Sequence, residues 1–292
     1  MKVKEGMTMF VEVFSITYLL ALVITVFTVL GTYLFLVKKE KKFQYRYLLV
    51  WSFLCFVLHF AKQLVYLDAT QLSKSTAENI CALSTMIFPF IMLFKKKNIL
   101  HDFMFFIGVI GGLAGVIYPT EALGESIFTF ETIRFYFSHI SLLVIPLLLA
   151  LLGLRVPDLK KWWLIPLCFL GYQFILMLNT ALLTFTGMVK REGFTPFELF
   201  ISRQYLNNSF TFGPTDDMGA VGKFIGNLTL PLMRKDILNI NQGKETYWPV
   251  IWLLTPSYIL LTPLYVLFTL PFNLKKQNKE KTKLVLNAKS NY

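Results

Sequence analysis

Few residues in this sequence carry a charge: 16% of 292, against 55% apolar and 16% aromatic. An ordinary soluble domain is about a quarter charged, so the balance excludes one and points to a polytopic membrane protein. Cysteine is scarce as well. Its three positions, Cys55, Cys81 and Cys168, all fall inside apolar runs, which excludes a disulfide framework. There is no CxxC, no HExxH and no paired-histidine spacing, and neither a GxGxxG nor a Walker pattern. Neither a metal nor a cofactor is therefore expected. No internal repeat occurs, and the one biased segment is a lysine-rich tail.

What the sequence does have is long apolar runs. A bilayer core of about 30 Å needs about 20 apolar residues in helix. Seven stretches approach this, at approximately 9–37, 46–67, 79–95, 99–118, 132–153, 162–187 and 247–272. The first follows "MKVKEG" but is far longer than a signal-peptide core and lacks a small-x-small cleavage site, so it reads as a retained helix. The third is the shortest, and Ser75-Thr-Ala-Glu78 reads as a capping box that would start it several residues early. The expectation is an all-α, polytopic membrane helix bundle of seven transmembrane helices forming a single domain over 1–292. In "FIGVIGGLAG", Gly108, Gly111, Gly112 and Gly115 make overlapping GxxxG steps that let another helix approach closely.

Lysine and arginine set the expected orientation. The first connection carries Lys38, Lys39, Lys41, Lys42 and Arg46, the third Lys95, Lys96 and Lys97, and the fifth Arg155, Lys160 and Lys161. The intervening "DATQLSKSTAEN" has one lysine and "PTEALGESIFTFET" none. This alternation predicts the N terminus outside and the C terminus cytoplasmic, with 274–292 a basic cytoplasmic tail. The net charge of +12 is then largely loop lysine, and nucleic acid is not an expected partner. The connection 188–246 is long and broken by Gly, Pro, Asn and Asp. It is expected outside, where "FELFISRQY" and "AVGKFIGNLTLPLMRK" could be interfacial helices or a lid, or the whole could be a solvated loop.

Polar side chains inside spans are expensive, so they are where function is sought. Counting 1.5 Å per residue from the outer helix ends, Cys81 lies just inside helix 3, His139 roughly 10 Å down helix 5 and Asn179 about 12 Å down helix 6. His59 reaches a similar depth on helix 2 with Lys62 above it. Cys55, His59, Lys62 and Tyr66 share a face at i, i+4, i+7 and i+11. Either these groups form an active or substrate site, or they hydrogen-bond across the bundle to hold it together.

The run from "ENICALSTMIFPFIMLFKKKNILHDFMFFIGVIGGLAGVIYP" through "RFYFSHISLLVIPLLLALLGLRVP" to "GYQFILMLNTALLTFTG" resembles the YwaF-like family of bacterial integral membrane proteins. That family looks related to a eukaryotic transmembrane acyltransferase that moves acyl chains between lipids, and more distantly to androgen-induced hydrolases of fatty-acid esters. Its cysteine, Ser-His pair and asparagine match Cys81, Ser138-His139 and Asn179; Asn79 stands where the family often has histidine. The resemblance implies a bacterial plasma membrane protein, and the depth of the polar groups below the outer helix ends puts the expected site toward the outer leaflet. Cys81 would be the nucleophile, His139 the general base and Asn179 an orienting or oxyanion group. Ionising a thiol inside a bilayer requires a cation, and Lys62 and Arg134 are nearest by depth. The competing expectation is a non-enzymatic protein that binds or transports a small amphiphile or solute. Membrane lipids are the expected partners; oligomeric state is not legible.

Overall fold

The structure is a computed structural model that describes residues 10–65, 75–188, 209–214, 219–236, 239, 242–243 and 245–290. Among them are eight α-helices and no strand beyond an isolated bridge between Phe10 and Ser126. The helices are α1 (Ile16–Val37), α2 (Lys41–Val65), α3 (Ile80–Leu93), α4 (Ile99–Ile117), α5 (Phe130–Leu151), α6 (Ile165–Phe185), α7 (Gly219–Asn227) and α8 (Leu254–Ser290).

Among the described residues six stretches are long and apolar enough to cross a membrane: Ile16–Val37, Lys41–Ala61, Ile99–Ile117, Phe130–Leu151, Leu159–Phe185 and Ile251–Lys275. They correspond to six of the seven expected runs. The other, α3, has 14 residues, about 21 Å of helix, less than a bilayer core. Its start differs from the expectation for a physical reason. The Ala82 amide donates to Asn79 Oδ1 at 2.8 Å, so Asn79 caps α3. The Ser75–Glu78 stretch lies in the turn before it. Likewise α1 begins at Ile16 rather than near residue 9, because Ser15 takes the Tyr18 amide. "FELFISRQY" lies outside the described residues, whereas "AVGKFIGNLTLPLMRK" contains α7 and the 3-10 turn Pro231–Arg234.

The chain divides into two compact units. The first comprises Met1–His59, Ser84–Lys96 and Met104–Arg155. Within it α4 and α5 run in close contact: a Cβ on Gly108 would lie 2.6 Å from the Leu142 carbonyl, and one on Gly112 2.7 Å from the Leu143 amide. Three helices end at one pole of this unit, where their last carbonyls need donors. Gln44 Nε2 serves Leu36 and Lys39 at 2.8 and 2.9 Å. Lys41 serves Leu152, and the Tyr45 hydroxyl serves Met92. Arg155 donates to the Lys95 carbonyl at 3.0 Å. Basic residues of the first and fifth connections thus cap helices. At the other pole Val11, Ala122 and Phe135 form a small buried cluster.

The second unit comprises Phe60–Leu83, Lys97–Phe103 and Val156–Tyr292. Polar groups tie several of its segments together. Asp102, fully buried, pairs with Lys97 at 2.8 Å and Lys161 at 3.6 Å and accepts the Asp158 amide at 3.2 Å. On α8, Tyr265 donates its hydroxyl to the Asp158 carbonyl at 2.9 Å, and the Asn273 amide donates to the Pro157 carbonyl at 3.2 Å. Farther along the chain, Thr211 donates to Gln173 Oε1 at 2.7 Å, and Gln173 Nε2 donates to the Ser209 carbonyl at 2.9 Å. The Val250 amide donates to the Thr211 carbonyl at 2.8 Å, and the Trp252 indole donates to the Phe210 carbonyl at 3.0 Å. Residues 209–214 are therefore stitched to both α6 and the start of the last span.

Candidate functional site

His139 lies on α5 in the first unit, buried at 8% exposure. Its Nδ1 is 2.9 Å from the Phe135 carbonyl, one turn back on the same helix. A carbonyl only accepts, so Nδ1 carries the hydrogen, and in the neutral ring Nε2 is left with its lone pair. The ring also packs on Phe135, with centroids 4.1 Å apart. Its other wall is α4. A Cβ on Gly115 would fall 2.0 Å from His139 Cδ2 and 2.6 Å from Nε2, so the imidazole fills a notch that only glycine leaves open. The glycine pattern was legible as a close-approach surface. That Gly115 faces an imidazole was not, because small-residue spacing names a face and not its occupant.

Cys81 and Asn179 belong to the second unit. Cys81 is half-buried in the first turn of α3, next to the capping Asn79. Asn179, on α6, donates Nδ2 to Thr76 Oγ1 at 3.0 Å and to the Ala77 carbonyl at 3.1 Å. A primary amide has two N–H hydrogens, and both are directed at the segment that leads into α3. Asn179 thereby ties α6 to residues 76 and 77, which precede α3.

The remaining candidates divide in the same way. Arg134 in the first unit is held by Glu131 at 2.6 Å, with Glu121 at 3.9 Å, so its charge is already met by carboxylates. Ser138 is half-buried beside His139 in sequence, and His59 is buried on α2. Lys62 lies outside the residues whose side chains are described, as does Tyr66. Among the described residues no cluster of histidine, cysteine and carboxylate suits a metal ion. Asp102 was missed from the sequence. It is an acid inside the apolar run 99–117, and the rule that singled out the histidines applies equally to it.

The model of the TMEM164 family matches residues 12–200, more than half of the chain. That stretch contains α1 through α6 and every residue considered above as a candidate for the site. No curated protein and no solved structure matches the chain.

Proposed function

The chain belongs to the TMEM164 family, a transmembrane family, and on that premise we propose that it catalyses cysteine-dependent acyl transfer or ester hydrolysis on lipid acyl chains. As an integral membrane protein it is in contact with such lipids. Cys81 is the nucleophile, His139 the general base, and Asn179 the group that orients the turn carrying the thiol. The observation that carries the assignment is the state of His139, a buried imidazole whose Nδ1 hydrogen is committed to the Phe135 carbonyl. That leaves Nε2 as a proton acceptor.

In the first half-reaction the thiol gives its proton to the general base and sulfur attacks the ester carbonyl carbon. The C–S bond forms, the C–O bond breaks, and the leaving alkoxide takes the proton from the imidazolium. In the second, an acceptor alcohol or water gives its proton to Nε2 and attacks the thioester. The acyl product departs and the thiol is regenerated. Asn179 contributes by holding residues 76 and 77 so that the first turn of α3 stays in register.

Purified protein incubated with an acyl donor should carry an acyl thioester on Cys81, detected by mass spectrometry of the intact protein and its peptides. Cys81→Ala and Cys81→Ser should both lose the adduct and turnover while still inserting and purifying. Cys55→Ala and Cys168→Ala should be silent. Full turnover in Cys81→Ala would end this proposal.

We further propose seven crossings, with α3 the short one, the N terminus outside, the C terminus in the cytoplasm of a bacterial cell, and substrate drawn from the outer leaflet. The support is the alternation of basic connections. In a background lacking the native cysteines, a thiol placed at the exposed Thr120 should react with an impermeant reagent on whole cells. One placed at the exposed Lys96 should not. The reverse pattern would invert the topology.

A further inference from the structure

Outside the candidate site, the first unit has a groove of about 540 Å³ along one face of α2. Phe43, Tyr47, Val50 and Leu54 line it at i, i+4, i+7 and i+11, a single helical stripe, and Trp51 and Phe137 complete the wall. The lining has one charge, Arg46. Arg46 is exposed, and among the described residues it forms no hydrogen bond or ion pair. Glu40, the only carboxylate in the surrounding stretch 38–46, is not paired with it.

The groove is held rigidly. The Trp51 indole donates to Ser141 Oγ at 2.9 Å, and Ser141 donates to the Phe137 carbonyl at 2.7 Å, so both wall elements are tied to α5. Tyr47 packs edge-on to Trp51 at 6.1 Å between ring centroids and lies beside Phe35 at 5.8 Å.

We propose that this groove binds an anionic glycerophospholipid, with the phosphate on Arg46 and an acyl chain running along α2 toward Leu54. Three features select that occupant. Arg46 is five residues into α2, about 7.5 Å from its start, near the end of the helix that adjoins the basic connection 38–42. From Arg46 to Leu54 is about 12 Å of apolar wall, which suits a hydrocarbon chain and not a soluble anion. Lys38, Lys39, Lys41 and Lys42 surround the helix start, and a basic cluster at a membrane surface attracts anionic headgroups. A second copy of the chain docking symmetrically on this stripe would oppose Arg46 to Arg46. A guanidinium and a phosphate form a bidentate, charge-assisted pair instead.

The test is native mass spectrometry of the full chain in detergent, titrated with phosphatidylglycerol or phosphatidylcholine. Wild type should bind phosphatidylglycerol at least about tenfold more tightly than phosphatidylcholine, whose phosphate can also meet Arg46 but whose choline cation offsets the charge and is repelled by the guanidinium. Arg46→Gln should abolish that preference. Leu54→Trp, which fills the groove from an exposed position without touching the charge, should weaken phosphatidylglycerol binding by a similar factor, and Lys223→Gln, an exposed lysine of α7 outside the groove lining, should leave it nearly unchanged. Gel-filtration profiles matching wild type would show that the variants fold. Equal affinity for the two lipids would overturn the proposal. So would phosphatidylglycerol binding that survives Arg46→Gln, or that survives Leu54→Trp and so reports only a charged surface. The proposal does not depend on the catalytic reading of Cys81, and the binding measurement requires no turnover.

Discussion

In the unit that carries His139, the imidazole sits where a glycine Cβ would come within 2.0 Å of its ring. In the unit that carries Asn179, the amide reaches Thr76 and Ala77 through two ordinary hydrogen bonds at 3.0 and 3.1 Å. One candidate group is located by shape and the other locates its neighbours by polarity. Shape is intolerant of added volume, since interiors are close-packed. A pair of hydrogen bonds is intolerant of losing donors but has room for small movements. The same chemical change should therefore have unequal consequences in the two units.

The largest effect is expected from Gly115→Ala. The new methyl must displace the His139 ring, at a cost of about 1–3 kcal/mol for overpacking. Loss of a positioned general base should lower turnover about a hundredfold or more. His139→Ala in the same chain should restore thermal stability without restoring turnover, because it vacates the space. A Gly115→Ala protein with wild-type turnover would show that the ring's position is immaterial. Next comes Asn179→Leu, which leaves Thr76 Oγ1 and the Ala77 carbonyl without their donor and should cost about 1–3 kcal/mol in thermal melts. Asn79→Ala, which removes the α3 cap, should cost about 1 kcal/mol, and Asn79→Ser much less. If Asn179→Leu melts like wild type, the entry to α3 is held by packing after all and the contrast between units fails. The smallest effect is Gly171→Ala on α6, where nothing lies within 4 Å of the added Cβ. Helix propensity alone should then raise stability by up to about 1 kcal/mol. Destabilisation there would mean that volume matters in the second unit too.

The helices were legible because apolar run length answers directly to bilayer thickness. Six runs meet the length and composition needed to cross, and α3 falls short because Asn79 caps it later than the Ser75 pattern suggests. The polar positions on the apolar runs were legible by the cost of placing them in hydrocarbon, which singles out His139, Asn179 and Cys81 as candidates. Their roles were less so. The Nδ1 contact of His139 is to a carbonyl of its own helix, the notch opposite is on another helix, and both depend on rotation about helix axes that no spacing rule supplies. Arg134 looked like a free cation by depth, and only the three-residue step to Glu131 and the approach of Glu121 show that its charge is spent. Lysines of the first connection could be read as topological signals. That Lys41 also caps α5 through the Leu152 carbonyl follows only from tertiary structure.

The stitching of residues 209–214 bears on how the protein is made. Thr211 and its neighbours bond to Gln173, which is synthesised before them, and to Val250 and Trp252, which follow. A nascent chain that has emerged only as far as residue 240 has the first half of this arrangement and lacks the donors of the second. The bonds from Val250 and Trp252 can form only once those residues have been synthesised. Chains arrested before Val250 should be degraded or held by membrane chaperones. Co-expression of the missing C-terminal piece should rescue them, with the two fragments joining in the bilayer as separately made parts.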